Sequence, residues 1–138
     1  MTAYATSAEL QDYLGEDEFI RVADRDASGA VDADAVTLAL DDASSLADSY
    51  IARWLPIDSA PPALRRHVMA IATYSLAGNT QTDDQRRRYE DAIQWLRDVA
   101  SGKASLGIPP SETTVSAGSV SYSTQTRVLT RSTMRGVL

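Results

Sequence analysis

One run of apolar residues limits what this chain can fold into more than any other feature of its sequence. Successive members of the run are 4, 3, 4, 3 and 4 residues apart, a spacing that places them on one face of a helix. They are Val36, Leu40, Ala43, Ala47, Tyr50 and Trp54. The run predicts a helix from about Asp34 to Trp54, roughly 30 Å long at 1.5 Å per residue. Its apolar face must pack against other helices.

Start and stop signals on both sides of this central helix predict further helices. Two capping boxes occur, in which the first and fourth residues each bind an otherwise unpaired backbone N–H with their side chains. The predicted segments run from Thr6 to Gly15, from Asp17 to Ala23, from Pro61–Pro62 to Gly78 and from Thr82 to Gly102. The sequence therefore predicts an all-α fold, a small helical bundle built on the long central helix.

The composition changes after Lys103. Ile108-Pro109-Pro110 is a stiff break, and the residues that follow are rich in Ser and Thr without a helical period. We therefore predict a helical body over residues 1–106 and an extended C-terminal arm or β-hairpin over 107–138. The arm has too little apolar surface to fold alone and is expected to order against another surface. Its predicted anchors are Arg127, Val128, Leu129, Arg131, Met134 and Leu138.

Charge and composition disfavour two classes of function, DNA binding and catalysis. Residues 1–100 carry 9 Arg against 18 acidic residues, a net charge of −9, whereas residues 101–138 carry a net charge of +3. An acidic body disfavours DNA binding along its surface, and a basic arm suits an acidic protein surface. Cysteine is absent and His67 is the single histidine, so thiolate chemistry is excluded and a histidine-based catalytic site is disfavoured. We expect no enzyme activity and no cofactor.

The acidic segment from Asp24 to Asp32 allows two interpretations. Its spacing resembles a calcium-binding loop with a glycine, Gly29, at the sixth position and Ala35 in place of the usual bidentate Glu at the twelfth. The candidate ligands of a weak calcium site are Asp24, Asp26, Ser28 and Asp32. In the alternative, these side chains bind their own backbone, Gly29 takes a left-handed conformation and Asp32 or Asp34 caps the central helix.

The arginines of the last predicted helix also allow two interpretations. Arg86, Arg87 and Arg88 with Arg97 could form a phosphate-binding patch, but acidic residues surround them. Asp83 with Arg87 and Asp84 with Arg88 are spaced as i,i+4 ion pairs. We interpret this region as a solvated helix face.

Several stretches, taken in order, resemble the Mu-like prophage head-to-tail connector family of tailed phages. The stretches are Tyr4–Thr6 with Leu10, Ala23–Asp32, Ala43–Pro56, Pro61–Arg66, Arg88–Leu106 and Arg127–Leu138. The last resembles a closing motif that usually has aromatic residues where Leu129 and Val137 stand here.

The resemblance implies a structural virion protein, an adaptor in the neck between capsid and tail. It implies a homo-oligomeric ring of twelve copies beneath the portal protein, contacting a tail-side connector or tail terminator protein, with DNA passing through the lumen. The N-terminal residues Met1–Tyr4 lack the basic segment followed by an apolar segment that is typical of a secretion signal. Synthesis in the bacterial host cytoplasm is therefore expected. A small calcium-binding helical interaction module is the alternative function. No membrane association is expected.

Overall fold

The computed structural model describes residues 3–110, and within them the chain is all-α, as predicted. Five α-helices and two short 3-10 turns follow one another. The helices are α1 (Ser7–Leu14), α2 (Glu16–Ala23), α3 (Ala33–Tyr50), α4 (Pro62–Ala77) and α5 (Asp83–Ser101). The predicted arm or hairpin lies outside the described residues from 111 onward. None of the described helices has the length and apolar character needed to cross a membrane.

The central helix α3 ends four residues earlier than the apolar spacing predicts. The backbone N–H of Ile51 closes the last α-helical turn on the carbonyl of Ala47, and a 3-10 turn then spans Ala52–Trp54. Leu55 precedes a cis proline and is extended, as the residue before a proline usually is. The backbone thus changes from α-helix to 3-10 turn before the proline. Ile51, at the junction, remains fully buried.

α3, α4 and α5 form a three-helix core. Because α3 and α4 present many alanines to this core, their backbones can approach closely. Fully buried larger side chains fill the space between the helices. They include Val36 of α3, Leu64 and Val68 of α4, and Leu96 and Val99 of α5. This core fixes the relative positions of the surfaces described below.

α1 and α2 form an N-terminal pair that packs beside the core. The Thr6 capping box begins α1 as predicted, and Leu10, Phe19 and Val22 point inward from the pair. Polar contacts add to this packing. Tyr4 N–H donates to Ser44 Oγ at 3.0 Å, the Tyr4 hydroxyl donates to Asp48, Arg65 pairs with Glu9 at 2.9 Å, and Gln85 donates to Glu18 at 3.1 Å.

Candidate functional site

The acidic segment between α2 and α3 forms a turn held by its own carboxylates. Asp24 accepts hydrogen bonds from the backbone N–H groups of Ser28 at 3.0 Å and Gly29 at 2.8 Å. These bonds hold the pKa of Asp24 below its usual range, and the bond from the Gly29 N–H has the largest effect. Gly29 has φ 80°, the left-handed conformation that glycine adopts without a steric penalty. The predicted turn is therefore confirmed.

Asp32 has the second predicted structural role. Its Oδ1 accepts from the Ala35 N–H at 3.1 Å and so caps the N-terminus of α3, while its own N–H donates to the Ala23 carbonyl at 3.0 Å. The turn thus ties the end of α2 to the start of α3. It therefore links the N-terminal pair directly to the first helix of the three-helix core.

The same geometry gives the calcium hypothesis no added support. Asp26 and Ser28 are exposed, while Asp24 and Asp32 accept hydrogen bonds from backbone N–H groups. Across residues 3–110, no three His, Cys, Asp or Glu side chains are grouped so that they could hold a metal ion. The calcium site stays a prediction, and the observed bonds give Asp24 and Asp32 structural roles without a bound ion.

His67 packs against an aromatic ring. It stacks on Trp95 of α5, with ring centroids 4.5 Å apart and an interplanar angle of 24°. Burial lowers the pKa of His67, Arg66 lowers it further, and Asp91 acts in the opposite direction. The imidazole thus lies half-buried in the contact between α4 and α5, in surroundings that disfavour its protonated form.

Two arginines of α5, Arg86 and Arg88, form ion pairs within the helix. Arg88 pairs with Asp84 at 2.8 Å, as predicted, and its guanidinium carbon lies 5.9 Å from the centroid of the Tyr13 ring. Asp83 pairs with Arg86 at 3.4 Å instead of with the predicted Arg87. Both spacings are compatible with a helix, because residues three and four apart lie on one face. These contacts favour the interpretation as a solvated helix face.

The root of the predicted arm is held by two side chains that the sequence analysis did not single out for this purpose. Trp54 Nε1 donates to the Ile108 carbonyl at 3.1 Å, and Leu106 is 2% exposed. Because Trp54 fitted the apolar spacing of α3, nothing in the sequence indicated that its indole N–H donates to the carbonyl of Ile108, 54 residues further along the chain. The predicted anchors Arg127, Val128, Leu129, Arg131, Met134 and Leu138 lie outside the described residues.

A groove of about 290 Å³ lies between α3, α4 and α5, and we call it the α3–α5 groove. Tyr74 and Tyr89 stack in it with ring centroids 4.2 Å apart. The remaining lining comes from Ala39, Asp42, Ala43, Leu46, Ile71, Ser75 and Gln81. Sequence analysis missed this groove, because the side chains that form it also fit the periodicity of helices packed in a core.

Comparison with known proteins identifies the chain. The family described as Bacteriophage Mu, Gp36 matches residues 4–124, most of the sequence. This chain belongs to that family. The Bacteriophage Mu Gp36 match includes all five helices, the acidic turn and the α3–α5 groove, and it confirms the resemblance to a Mu-like phage protein.

Two curated relatives agree with the family. The "Mu-like prophage FluMu protein gp36" of Haemophilus influenzae is 47% identical over 79 residues, 56% of this chain and 56% of that protein. "Gene product J" of Escherichia phage Mu is 32% identical over 84 residues, 59% of this chain and 60% of that protein. The aligned stretches thus cover between half and two thirds of each relative.

Proposed function

We propose that this Gp36-family chain is a structural protein of the phage particle, a head-to-tail connector located in the neck between capsid and tail. It assembles as a homo-oligomeric ring of twelve copies beneath the portal protein and contacts a tail-side connector or tail terminator protein. It acts without catalysis and without a cofactor. Family membership supports the phage context, and the connector role is the step taken beyond it.

The main observation behind the proposal is that a basic C-terminal segment is attached at a defined point to an acidic helical body. Residues 1–100 have a net charge of −9 and residues 101–138 a net charge of +3. The Trp54–Ile108 hydrogen bond and buried Leu106 fix the point of departure on the body. A basic segment that starts from a fixed point on an acidic body is suited to bridging to the acidic body of the next copy, as a closed ring requires.

The acidic body also suits a channel for DNA. Residues 1–100 carry 18 acidic residues against 9 arginines, and a wall with this charge repels a phosphate backbone instead of binding it. DNA could therefore pass a ring of such subunits without being held. No sequence-specific DNA contact is needed for this function.

The test is an assembly measurement on the full chain. The mass of the purified protein is determined with and without its cognate portal protein, with calcium or chelator in parallel samples. We expect a ring-sized, portal-bound complex in both conditions. A protein that does not bind the portal protein and stays monomeric would contradict the connector role. A change in mass that depends only on calcium would favour the binding-module alternative.

A charge-reversal pair tests the part played by the arm. Arg127→Glu with Arg131→Glu should abolish ring formation and the joining of heads to tails in a complementation assay. Arg25→Glu with Arg87→Glu makes the same charge change on exposed residues of the body and serves as the control. Normal particle assembly by the arm variant would contradict the proposal.

A further inference from the structure

The α3–α5 groove is lined mainly by apolar and aromatic side chains. The stacked rings of Tyr74 and Tyr89 and the side chains of Leu46 and Ile71 line it. Leu38 is 58% exposed, and among residues 3–110 it is the large apolar side chain that stands out as exposed to solvent. It lies one helical turn before Asp42 of the groove lining, so the two side chains are neighbours on the surface of α3. Apolar side chains thus lie both in the groove and beside it on α3, with the Asp42 carboxylate between them.

Acidic residues accompany this apolar surface. Asp42 lines the groove one turn after Leu38, whereas Asp34 and Asp41 lie four residues before and three residues after Leu38, outside the groove lining. Among the described residues, no salt bridge involves these three carboxylates. The groove is therefore suited to a ligand that alternates apolar and basic side chains.

We propose that the α3–α5 groove binds residues 127–138 of a neighbouring copy of this chain. This inference rests on the proposed function, which supplies the neighbouring copy. The segment carries three arginines, matching the three carboxylates, and between them lie apolar side chains that fit an apolar groove. The arginines are Arg127, Arg131 and Arg135, and the apolar residues are Val128, Leu129, Met134, Val137 and Leu138.

The size and the reach fit such an occupant. A groove of about 290 Å³ is at the lower limit of small-ligand pockets, about 300–1,000 Å³, and accepts a few side chains of an extended peptide. The Trp54–Ile108 hydrogen bond holds the chain beyond the C-terminal end of α3 just before residue 111. Residues 111–126 can span up to about 50 Å when extended, at about 3.3 Å per residue. That length exceeds the roughly 27 Å of the 18-residue helix α3, so residues 127–138 can lie beyond the body from which they start.

Cross-linking between two differently tagged copies tests the contact. One copy carries Leu38→Cys and the other Ser132→Cys, and because the natural sequence has no cysteine, each then has a single thiol. The copies are mixed under assembly conditions with the portal protein and treated with a short bismaleimide. The control replaces Leu38→Cys by Ser59→Cys, an exposed position away from the groove. The mass of the assembly is measured in the same samples.

We expect a cross-linked heterodimer from the groove pair at a yield several-fold above that of the control pair. Assembled rings without this excess would overturn the groove contact while leaving the connector function standing. Copies that never assemble would overturn the connector function and this inference together. A cross-link that forms within a single chain carrying both cysteines, and not between copies, would also overturn the inference.

A charge swap adds a test that does not depend on thiol geometry. Asp42→Arg in the Leu38→Cys copy should lower the heterodimer yield by up to roughly fivefold, the upper range for one exposed ion pair. Adding Arg131→Asp to the Ser132→Cys copy should restore the yield, because the charges are then opposite again. Failure of this rescue, with both variants folded by circular dichroism, would contradict the pairing of Asp42 with the segment.

Discussion

Compared with the three-helix core of α3, α4 and α5, the N-terminal pair of α1 and α2 depends more on polar contacts for its position. The core is filled by fully buried apolar side chains such as Leu64 and Leu96. The N-terminal region also buries Leu10 and Phe19, but hydrogen bonds and an ion pair from Tyr4 and Glu9 help fasten it to the core. Apolar burial depends little on pH or salt, whereas exposed ion pairs depend on both. The two regions should therefore respond differently to mutation and to pH.

The largest effect is expected from a cavity in the core. Leu96→Ala should lower the free energy of unfolding by about 2–5 kcal/mol, because a fully buried leucine loses its contacts and leaves a space that the neighbours fill only in part. Urea denaturation measures the change. The control, Leu38→Ala, removes a side chain that is 58% exposed and should change stability by less than about 0.5 kcal/mol. Equal losses in the two variants would contradict the assignment of the core.

A smaller and more local effect is expected from the polar attachment of the N-terminal region. Tyr4→Phe removes the hydroxyl that donates to Asp48 and should cost about 1.5–3 kcal/mol, the range for a hydrogen bond to a charged group. Burial and the Asp48 carboxylate both raise the pKa of Tyr4, so the hydroxyl is the donor throughout the neutral range. Tyr50→Phe, at the end of α3, is the control.

Native-state hydrogen exchange separates local from global opening in the Tyr4→Phe variant. Amides of α1 and α2 should lose protection while those of α4 and α5 keep most of theirs, since local units can open independently. Uniform loss across all five helices would mean that the N-terminal pair and the core form one cooperative unit. That outcome would remove the distinction between them.

The two regions should also lose stability in different pH ranges. His67 lies in the core contact and its folded pKa is lowered from 6.5, mainly by burial. Glu9 lies in the N-terminal pair and its folded pKa is lowered from 4.5, first by the Thr6 N–H and then by Arg65. In both cases the unfolded chain binds protons more readily, so stability is present above the ordinary pKa and is lost as pH falls.

Thermal unfolding between pH 8 and pH 3 should therefore show two losses. His67→Phe, which keeps a ring against Trp95, should remove the loss that begins near pH 6.5. Glu9→Gln should remove part of the loss below pH 4.5, an effect under about 1 kcal/mol because the pair with Arg65 is partly exposed. Unchanged pH profiles in both variants would contradict these assignments.

Periodicity and capping signals were sufficient to predict the helices and their order. The Thr6 and Thr82 capping boxes and the Asp32 cap all form as the sequence indicates, because these are contacts between residues three apart. The end of α3 was predicted at Trp54, whereas the α-helix ends at Tyr50 and a 3-10 turn follows, because the spacing of apolar residues does not distinguish a last α-helical turn from a 3-10 turn.

Contacts between distant residues could not be predicted in this way. The Trp54–Ile108 hydrogen bond joins residues 54 positions apart, and the α3–α5 groove combines side chains from three helices. Each depends on how the helices pack, which the spacing within one helix does not determine. The exposure of Leu38 was missed for the same reason. The resemblance to a phage family came from motif order, not from any of these contacts.

The smallest expected effect concerns calcium at the acidic turn. A site with a dissociation constant of about 1 mM would stabilise the fold by about 1.4 kcal/mol at about 10 mM calcium, so even a weak site would be visible in a thermal shift. We expect no difference between calcium and chelator, because Asp24 and Asp32 already accept backbone hydrogen bonds. Asp24→Ala should lower stability equally in both conditions, since the turn between α2 and α3 loses two acceptor contacts. A calcium-dependent rise in melting temperature that Asp24→Ala abolishes would instead establish the calcium-binding alternative and give this turn a function beyond linking the N-terminal pair to the core.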